Sequence, residues 1–315
     1  MKSGLEQIPR AASITHQHIV AVINTCLTAR RPASAGVVRL LDVGFGDGAL
    51  MCHCLDALPV LQPRCAFEVG GVDVSDAGQQ QPGFVERALA LLSASHPGVD
   101  WKRRLSLMTT RDRWPYADGS LDFVVSNQVL EHVADHAFVF REIRRCLRPG
   151  GIAVHLFPVR EVLWEGHALM PLVHRSRSVD GRARLMYLLA RLGFTRQYYR
   201  ELERRGWKSF REFSRVFAEV LERDTNYQSQ RRLAEATTCA GLQGSFDYTK
   251  DFYCAKLKSL VGRRSYRYRR LGVLEGVATL VCKRISSVTL VQHKPSQSTA
   301  PAVCIPPPSG INAPR

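Results

Sequence analysis

At 315 residues with 45% hydrophobic content, the chain is long enough to bury a sizeable core. No run approaches the roughly 18–20 uninterrupted apolar residues that a membrane-spanning helix needs, so a helical integral membrane protein is not expected. The net charge of +16 is unevenly placed: residues 1–170 carry 17 groups of each sign, and the remainder carries 27 basic against 11 acidic. Such a basic half is either a solvated surface or one that draws an anionic small molecule, nucleic acid or a membrane.

The N-terminal stretch is interrupted by Thr15, His16, Gln17, His18 and Asn24, so no secretion signal is expected. Nine cysteines are scattered without paired C-x-x-C spacing, arguing against a disulfide framework or zinc knuckle and fitting a reducing cytoplasm. Residues 10–30 show the periodicity of an amphipathic helix ending before Pro32. Short apolar runs then follow at 37–43, 69–74, 105–108, 121–126 and 151–157. Helical stretches separate them at 47–58, 83–94 and 133–147. Buried runs alternating with helices predict an α/β fold, a parallel sheet covered on both faces. Cys52, His53 and Cys54 fall in one of those helices, where adjacent side chains diverge, so they are not expected to clip a metal.

Beyond Pro158, residues 160–240 are rich in Arg, Leu and aromatics at helical spacing. Strand signals return at 246–261 and 276–291, read as an antiparallel edge, and the Pro- and Ser-dense tail is expected to be disordered. The predicted organisation is an N-terminal helical segment (1–35), a ligand-binding α/β domain (36–158), a basic helical insertion or cap (159–245), C-terminal strands (246–292) and a tail (293–315).

The segment LLDVGFGDGAL, residues 40–50, places the pattern D-x-G-x-G-x-G where the first buried run gives way to a helix. Glycines there permit a tight turn and leave no Cβ between the backbone and a ligand at the helix N-terminus, so a nucleotide-like ligand is expected. The dinucleotide fingerprint G-x-G-x-x-G is not matched, because the third glycine comes one residue early. The second buried run, VGGVDVSD, ends in Asp73, whose carboxylate could accept two ribose hydroxyls.

The run WPYADGSLDFVVSNQVLEHVADHAFVFREIRRCLRPGGIAVHLFP, 114–158, completes a set. With DVGFGDG and VDVSD it resembles the class I S-adenosylmethionine-dependent methyltransferases, in particular the type 11-like domains found in small-molecule and sugar methyltransferases. The resemblance covers residues 38–158 and implies a Rossmann-like, seven-stranded sheet with helices on both faces. It implies that Asp42, Gly44, Gly46 and Gly48 form the S-adenosylmethionine loop, that Asp73, with Val74 beside it, holds the ribose, and that Asn127 and Gln128 lie near the methionine end. One departure stands out: Thr110 occupies the place of an acid that usually contacts the adenine amine. Asp112 is the candidate substitute.

Methyl transfer from a sulfonium is an in-line displacement that needs alignment and exclusion of water. A hydroxyl acceptor also needs a base, and on the family's geometry three histidines qualify: His132, His155 and His167, the last with Glu165 as orienting partner. A metal-dependent variant of the family uses E-x-x-E-H where this chain has Gln128, Glu131 and His132. The lost carboxylate makes a metal unexpected.

The segment HLFPVREVLWEGHALMPLVHR resembles the stretch after the fifth strand of methyltransferases of polysaccharide and glycoconjugate biosynthesis. It suggests O-methylation of a sugar or other small molecule, phosphorylated or lipid-linked, held under the basic cap with Arg175 and Arg177 as contacts. Alternatives are an RNA or lipid/quinone methyltransferase, with RRSYRYRR (263–270) on phosphates, bases or headgroups, and a non-catalytic scaffold keeping only the fold.

Overall fold

A computed structural model describes residues 4–30, 36–77, 80–205, 209–268 and 274–296. The predicted tail beyond 296 lies outside the described residues. Helix α1 (Ile14–Arg30) leads into β1 (Val37–Val43), α2 (Ala49–Leu61), β2 (Ala66–Val74), α3 (Phe84–Ser95), the single turn α4 (Trp101–Arg104) and β3 (Leu105–Met108). Then come β4 (Leu121–Asn127), α5 (His136–Cys146) and β5 (Leu147–Phe157). Strands β1 to β5 pair in parallel in the order β3-β2-β1-β4-β5, as the alternating pattern predicted.

After β5 come a two-residue-per-arm hairpin, β6 (Trp164–Glu165) and β7 (Met170–Pro171), and helices α6 (Val179–Arg191), α7 (Arg196–Arg205) and α8 (Phe210–Asp224). Helix α9 (Gln230–Cys239), β8 (Gln243–Ser245), α10 (Thr249–Leu260), α11 (Leu274–Cys282) and β9 (Val288–His293) complete the chain. Strand β9 lies antiparallel between β5 and β8, closing a seven-stranded mixed sheet.

Alternate residues of the strands serve opposite layers, as the two-residue period requires. Leu40, Val69, Phe123, Val154 and Val291 pack under α1, α2, α3 and α10. Leu41, Val72, Val124, Ala153 and Leu290 pack under α5 and α9. The cap has a separate core, in which Met170 and Val173 meet Met186, Phe213, Phe217 and Leu221 of α6 and α8.

Helix α1 is buried around most of its circumference, not on one stripe. His18 within it hydrogen-bonds Tyr268 Oη and Thr289 Oγ1, both at 2.8 Å, and burial pushes its pKa down to about 3. Cys52, Cys54, Cys65, Cys146, Cys254 and Cys282 are free thiols, whereas Cys239 is disulfide-bonded, which the scattered pattern did not predict.

The C-terminal strand expectation is corrected. Residues 249–260 form a helix: its aromatic and β-branched residues suggested a strand, but the buried positions Thr249, Phe252, Tyr253 and Ala255 follow helical spacing. Within 276–291, only the end from Val288 onward is strand, and the apolar run before it is α11.

Candidate active site

The glycine loop bridges β1 and α2. Gly44 has φ +73°, and a Cβ there would stand 2.5 Å from Val129 Cγ2, so both conformation and space demand glycine. Gly46, φ +54°, demands glycine by conformation only: a Cβ there would make ordinary contact with the Gln80 amide atoms, at 3.7 and 3.8 Å. A cavity of about 360 Å³ opens over this loop, bounded by Asp42, the 44–47 backbone, Phe84, Asn127, Gln128 and Val129, with His16 of α1 on its wall.

Three buried polar atoms around this cavity lack a hydrogen-bond partner: His16 Nδ1, Asp42 Oδ1 and Asn127 Oδ1. Buried polar groups are normally paired, so unpaired oxygens at the wall of a cavity suit a ligand that brings its own donors, such as an amino-acid ammonium. Burial first, then the charges of Asp73 and Asp47, holds the Asp42 carboxyl well above the usual carboxylate range, and a cation beside it would relieve that. Gln128 adopts φ +57°, unusual for a non-glycine residue, while its N–H donates to Leu156 O at 2.8 Å.

The carboxylate of Asp73 is occupied by the loop itself. It accepts from Gly46 N at 2.9 Å, Val74 N at 2.8 Å and Gln80 Nε2 at 3.2 Å. Burial raises its pKa against those two backbone bonds. Neither Asp73 nor Val74 is on the cavity wall among the described residues.

Asp112 is exposed and closes its own turn, accepting from Thr109 N at 2.7 Å, and is likewise absent from the wall. Thr110 has its own partner, donating from N and Oγ1 to the two carboxylate oxygens of Asp76 at 2.9 and 3.0 Å.

Just past the cavity, the loop after β4 delivers Glu131 and His132 to the cap. The His132 and His167 rings lie edge to face, 5.2 Å between centroids. His132 Nδ1 donates to the Asp224 carbonyl at 2.5 Å. Burial lowers the His132 pKa.

His167 sits in the β6–β7 hairpin, whose tight turn is organised by Glu165. Glu165, fully buried, accepts from the backbone N–H groups of His167 and Ala168, from Tyr227 Oη at 2.5 Å, and from His167 Nδ1 at 2.8 Å. Burial alone would lower the His167 pKa, but the hydrogen bond and charge of Glu165, then the charges of Glu131 and Asp224, outweigh it and hold the histidine above its ordinary value. Burial would raise Glu165, yet the hydrogen bond and charge of His167 together with the hydrogen bonds from Tyr227 and Ala168 outweigh it and keep it low. Both shifts describe one ion pair in which Nδ1 is committed to Glu165, so that Nε2 is the atom available to exchange a proton.

Glu131 is 1% exposed, and neither carboxylate oxygen has a partner; burial pushes its pKa to about 8. Glu131, His132 and His167 each bring a ligand atom to within 4.8 Å of the others, a set able to hold a divalent cation.

His155 is placed elsewhere. It is buried within β5, its Nδ1 2.7 Å from Ser126 Oγ, and burial lowers its pKa to about 4. Its side chain falls on the register that serves the α5–α9 layer, which makes it a sheet-core residue. Arg175 is also spent structurally, donating to the Arg160 and Glu161 carbonyls, while Arg177 is exposed.

Sequence reasoning did not find His16, Gln80 or Tyr227. Tyr227 could have been suspected only as a lone aromatic in a polar loop after α8.

Residues 41–155 match a family model described as a methyltransferase domain. The domain belongs to the class I, S-adenosylmethionine-dependent methyltransferases. S-adenosylmethionine is the methyl donor of this family.

A protein of Mycolicibacterium smegmatis named a probable S-adenosylmethionine-dependent methyltransferase is 29% identical over 146 residues, covering 46% of this chain and 54% of its own length. An uncharacterized methyltransferase of Mycobacterium sp. (strain JLS) is 33% identical over 166 residues, covering 46% and 66%. The chain therefore spans about half to two thirds of the length of these relatives. A solved structure of geranyl diphosphate C-methyltransferase from Streptomyces coelicolor A3(2) aligns over 87% of this chain and 76% of its own, at 14% identity and a TM-score of 0.41.

Proposed function

We propose that the chain transfers the methyl group of S-adenosylmethionine to a hydroxyl of a sugar or glycoconjugate. The observation that carries this reading is the His167–Glu165 pair, brought by the cap to the loop that also lines the cofactor cavity. The bound cofactor would supply an electrophilic methyl on a sulfonium.

In this reading the 44–47 backbone holds the cofactor against the sheet, and Asp42 and Asn127 accept from its amino-acid end. Asp73 keeps the loop in shape through Gly46 N and receives a ribose hydroxyl where Gln80 now donates. Gln128 fixes the position of the methionine end. His167 Nε2 accepts the acceptor's proton while the buried Glu165 carboxylate stabilises the resulting imidazolium. A hydroxyl acceptor suits this arrangement, because an acceptor that is already a strong nucleophile has no use for a base of raised pKa. The resemblance of the β6–β7 stretch to glycoconjugate methyltransferases supports the sugar class.

A second reading is favoured by the two unpaired oxygens of Glu131: with His132 and His167 they would hold a divalent cation that acidifies the hydroxyl. The test measures labelled methyl transfer to sugar and lipid-linked acceptors with and without chelator. Transfer that survives chelation and is lost in His167→Ala supports the base. Transfer restored only by Mg²⁺ or Mn²⁺ supports the cation, and cofactor binding without transfer to any hydroxyl acceptor sinks both.

A further inference from the structure

The most anomalous surface of the molecule lies far along the chain from the methyltransferase motifs. Soluble proteins rarely leave several large apolar side chains exposed together. Here α10 ends in a stretch, residues 256–263, in which every residue is exposed, so its last turn stands clear of the body. Leu257, Leu260 and Val261 are 66, 80 and 71% exposed. Helix α11 packs beside α10 and presents Val277, Leu280 and Val281 at 68, 62 and 62%. A run as apolar as α11 would ordinarily be buried; in this helix, among the residues whose burial is described, only Thr279 is.

The charge around this corner identifies its occupant. Lys256 and Lys258 are exposed on α10, Arg263 and Arg284 are exposed just past the ends of α10 and α11, and no ion pair engages them among the described residues. A second copy of the chain would bring the same cations against them and be repelled. A bilayer rich in anionic lipid offers both complements at once: hydrocarbon for leucine and valine, phosphates for lysine and arginine, whose long stems allow the charge to reach the headgroups.

We propose that the α10–α11 corner is a peripheral membrane anchor selective for anionic lipid. The proposal is independent of the acceptor's identity and of the base.

Full-length protein would be sedimented with phosphatidylcholine vesicles and with vesicles containing phosphatidylglycerol, at low and high salt. Binding to the anionic vesicles, weakened by salt, is expected, because each basic residue near such a surface contributes roughly fivefold. The double variants Leu280→Asp/Val281→Asp and Lys256→Glu/Lys258→Glu should each lower the partition coefficient at least tenfold. Both sites are exposed, so circular dichroism and S-adenosylmethionine affinity should match wild type.

Three outcomes overturn the proposal. They are no binding to anionic vesicles, binding that neither double variant weakens, and a wild-type dimer in solution that Leu280→Asp/Val281→Asp converts to monomer, which would assign the face to a second copy.

Discussion

The glycine loop and the cap hairpin are both tight turns that present polar groups to a ligand, yet they are built on opposite principles. The loop acts through its backbone: Gly44 and Gly46 adopt positive φ, and a contiguous motif of seven residues sets the whole shape. The hairpin acts through side chains gathered from three distant segments, Glu131 and His132 after β4, Glu165 and His167 after β5, and Tyr227 after α8. A function carried by backbone conformation tolerates variation outside its glycines, whereas one carried by a buried ion pair depends on every partner remaining in place.

The sharpest way to separate the two regions is to remove the proposed base. His167→Ala should lower kcat by about 10²–10⁴-fold, the usual worth of a positioned general base, while the S-adenosylmethionine Kd stays within about twofold. Equal losses in both would mean that the hairpin serves the cofactor instead.

The converse variant, Gly44→Val, combines a positive φ with a Cβ 2.5 Å from Val129, and should weaken cofactor binding by about 100-fold on a calorimetric titration, roughly 2.7 kcal/mol. Unchanged affinity would refute the placement of the cofactor over this loop.

The independence of the cap's core can be tested next. Phe213→Ala removes a fully buried ring from that cluster and should cost about 3–5 kcal/mol of stability in denaturant unfolding. Cofactor affinity should be preserved, since the ring belongs to neither face of the sheet.

The smallest effect is in pH. His167 must be neutral to accept a proton, and its raised pKa places the rising limb of kcat above the ordinary histidine value of about 6.5. Glu165→Gln removes the main cause of that rise, so the limb should move to lower pH while the plateau falls. Stability follows the opposite sign for the same histidine: its contribution is complete below the unfolded value of about 6.5 and is lost as pH rises through the higher folded value. The depressed pKa of Glu165 sets a second loss at the acid end, as pH falls through its folded value. A limb that Glu165→Gln leaves in place would show that another group titrates.

Legibility in the sequence follows the same division. The central sheet could be read from apolar runs separated by helices, because a parallel strand buried on both faces must be apolar throughout. The last third misled for that same reason. The stretch 249–260 has strand-like composition but helical burial, and α11 is apolar without being buried, so hydrophobicity went with exposure where it had signalled a core. At the site, Asp42, Gly44, Gly46, Asn127 and Gln128 could be placed at the cavity from one motif and one strand end. The placement of Asp112 was not legible, because only the fold shows its carboxylate folded back onto Thr109.

The sequence by itself determined the sheet, the cofactor loop and the excess of positive charge in the second half, since each depends on residues adjacent in the chain or on composition alone. Only the tertiary structure separates the three histidines in space, burying His155 beneath helices and setting His167 on Glu165 beside His132. That choice depends on contacts closed across nearly a hundred residues, such as His132 to Asp224, and local periodicity has no term for loops that long.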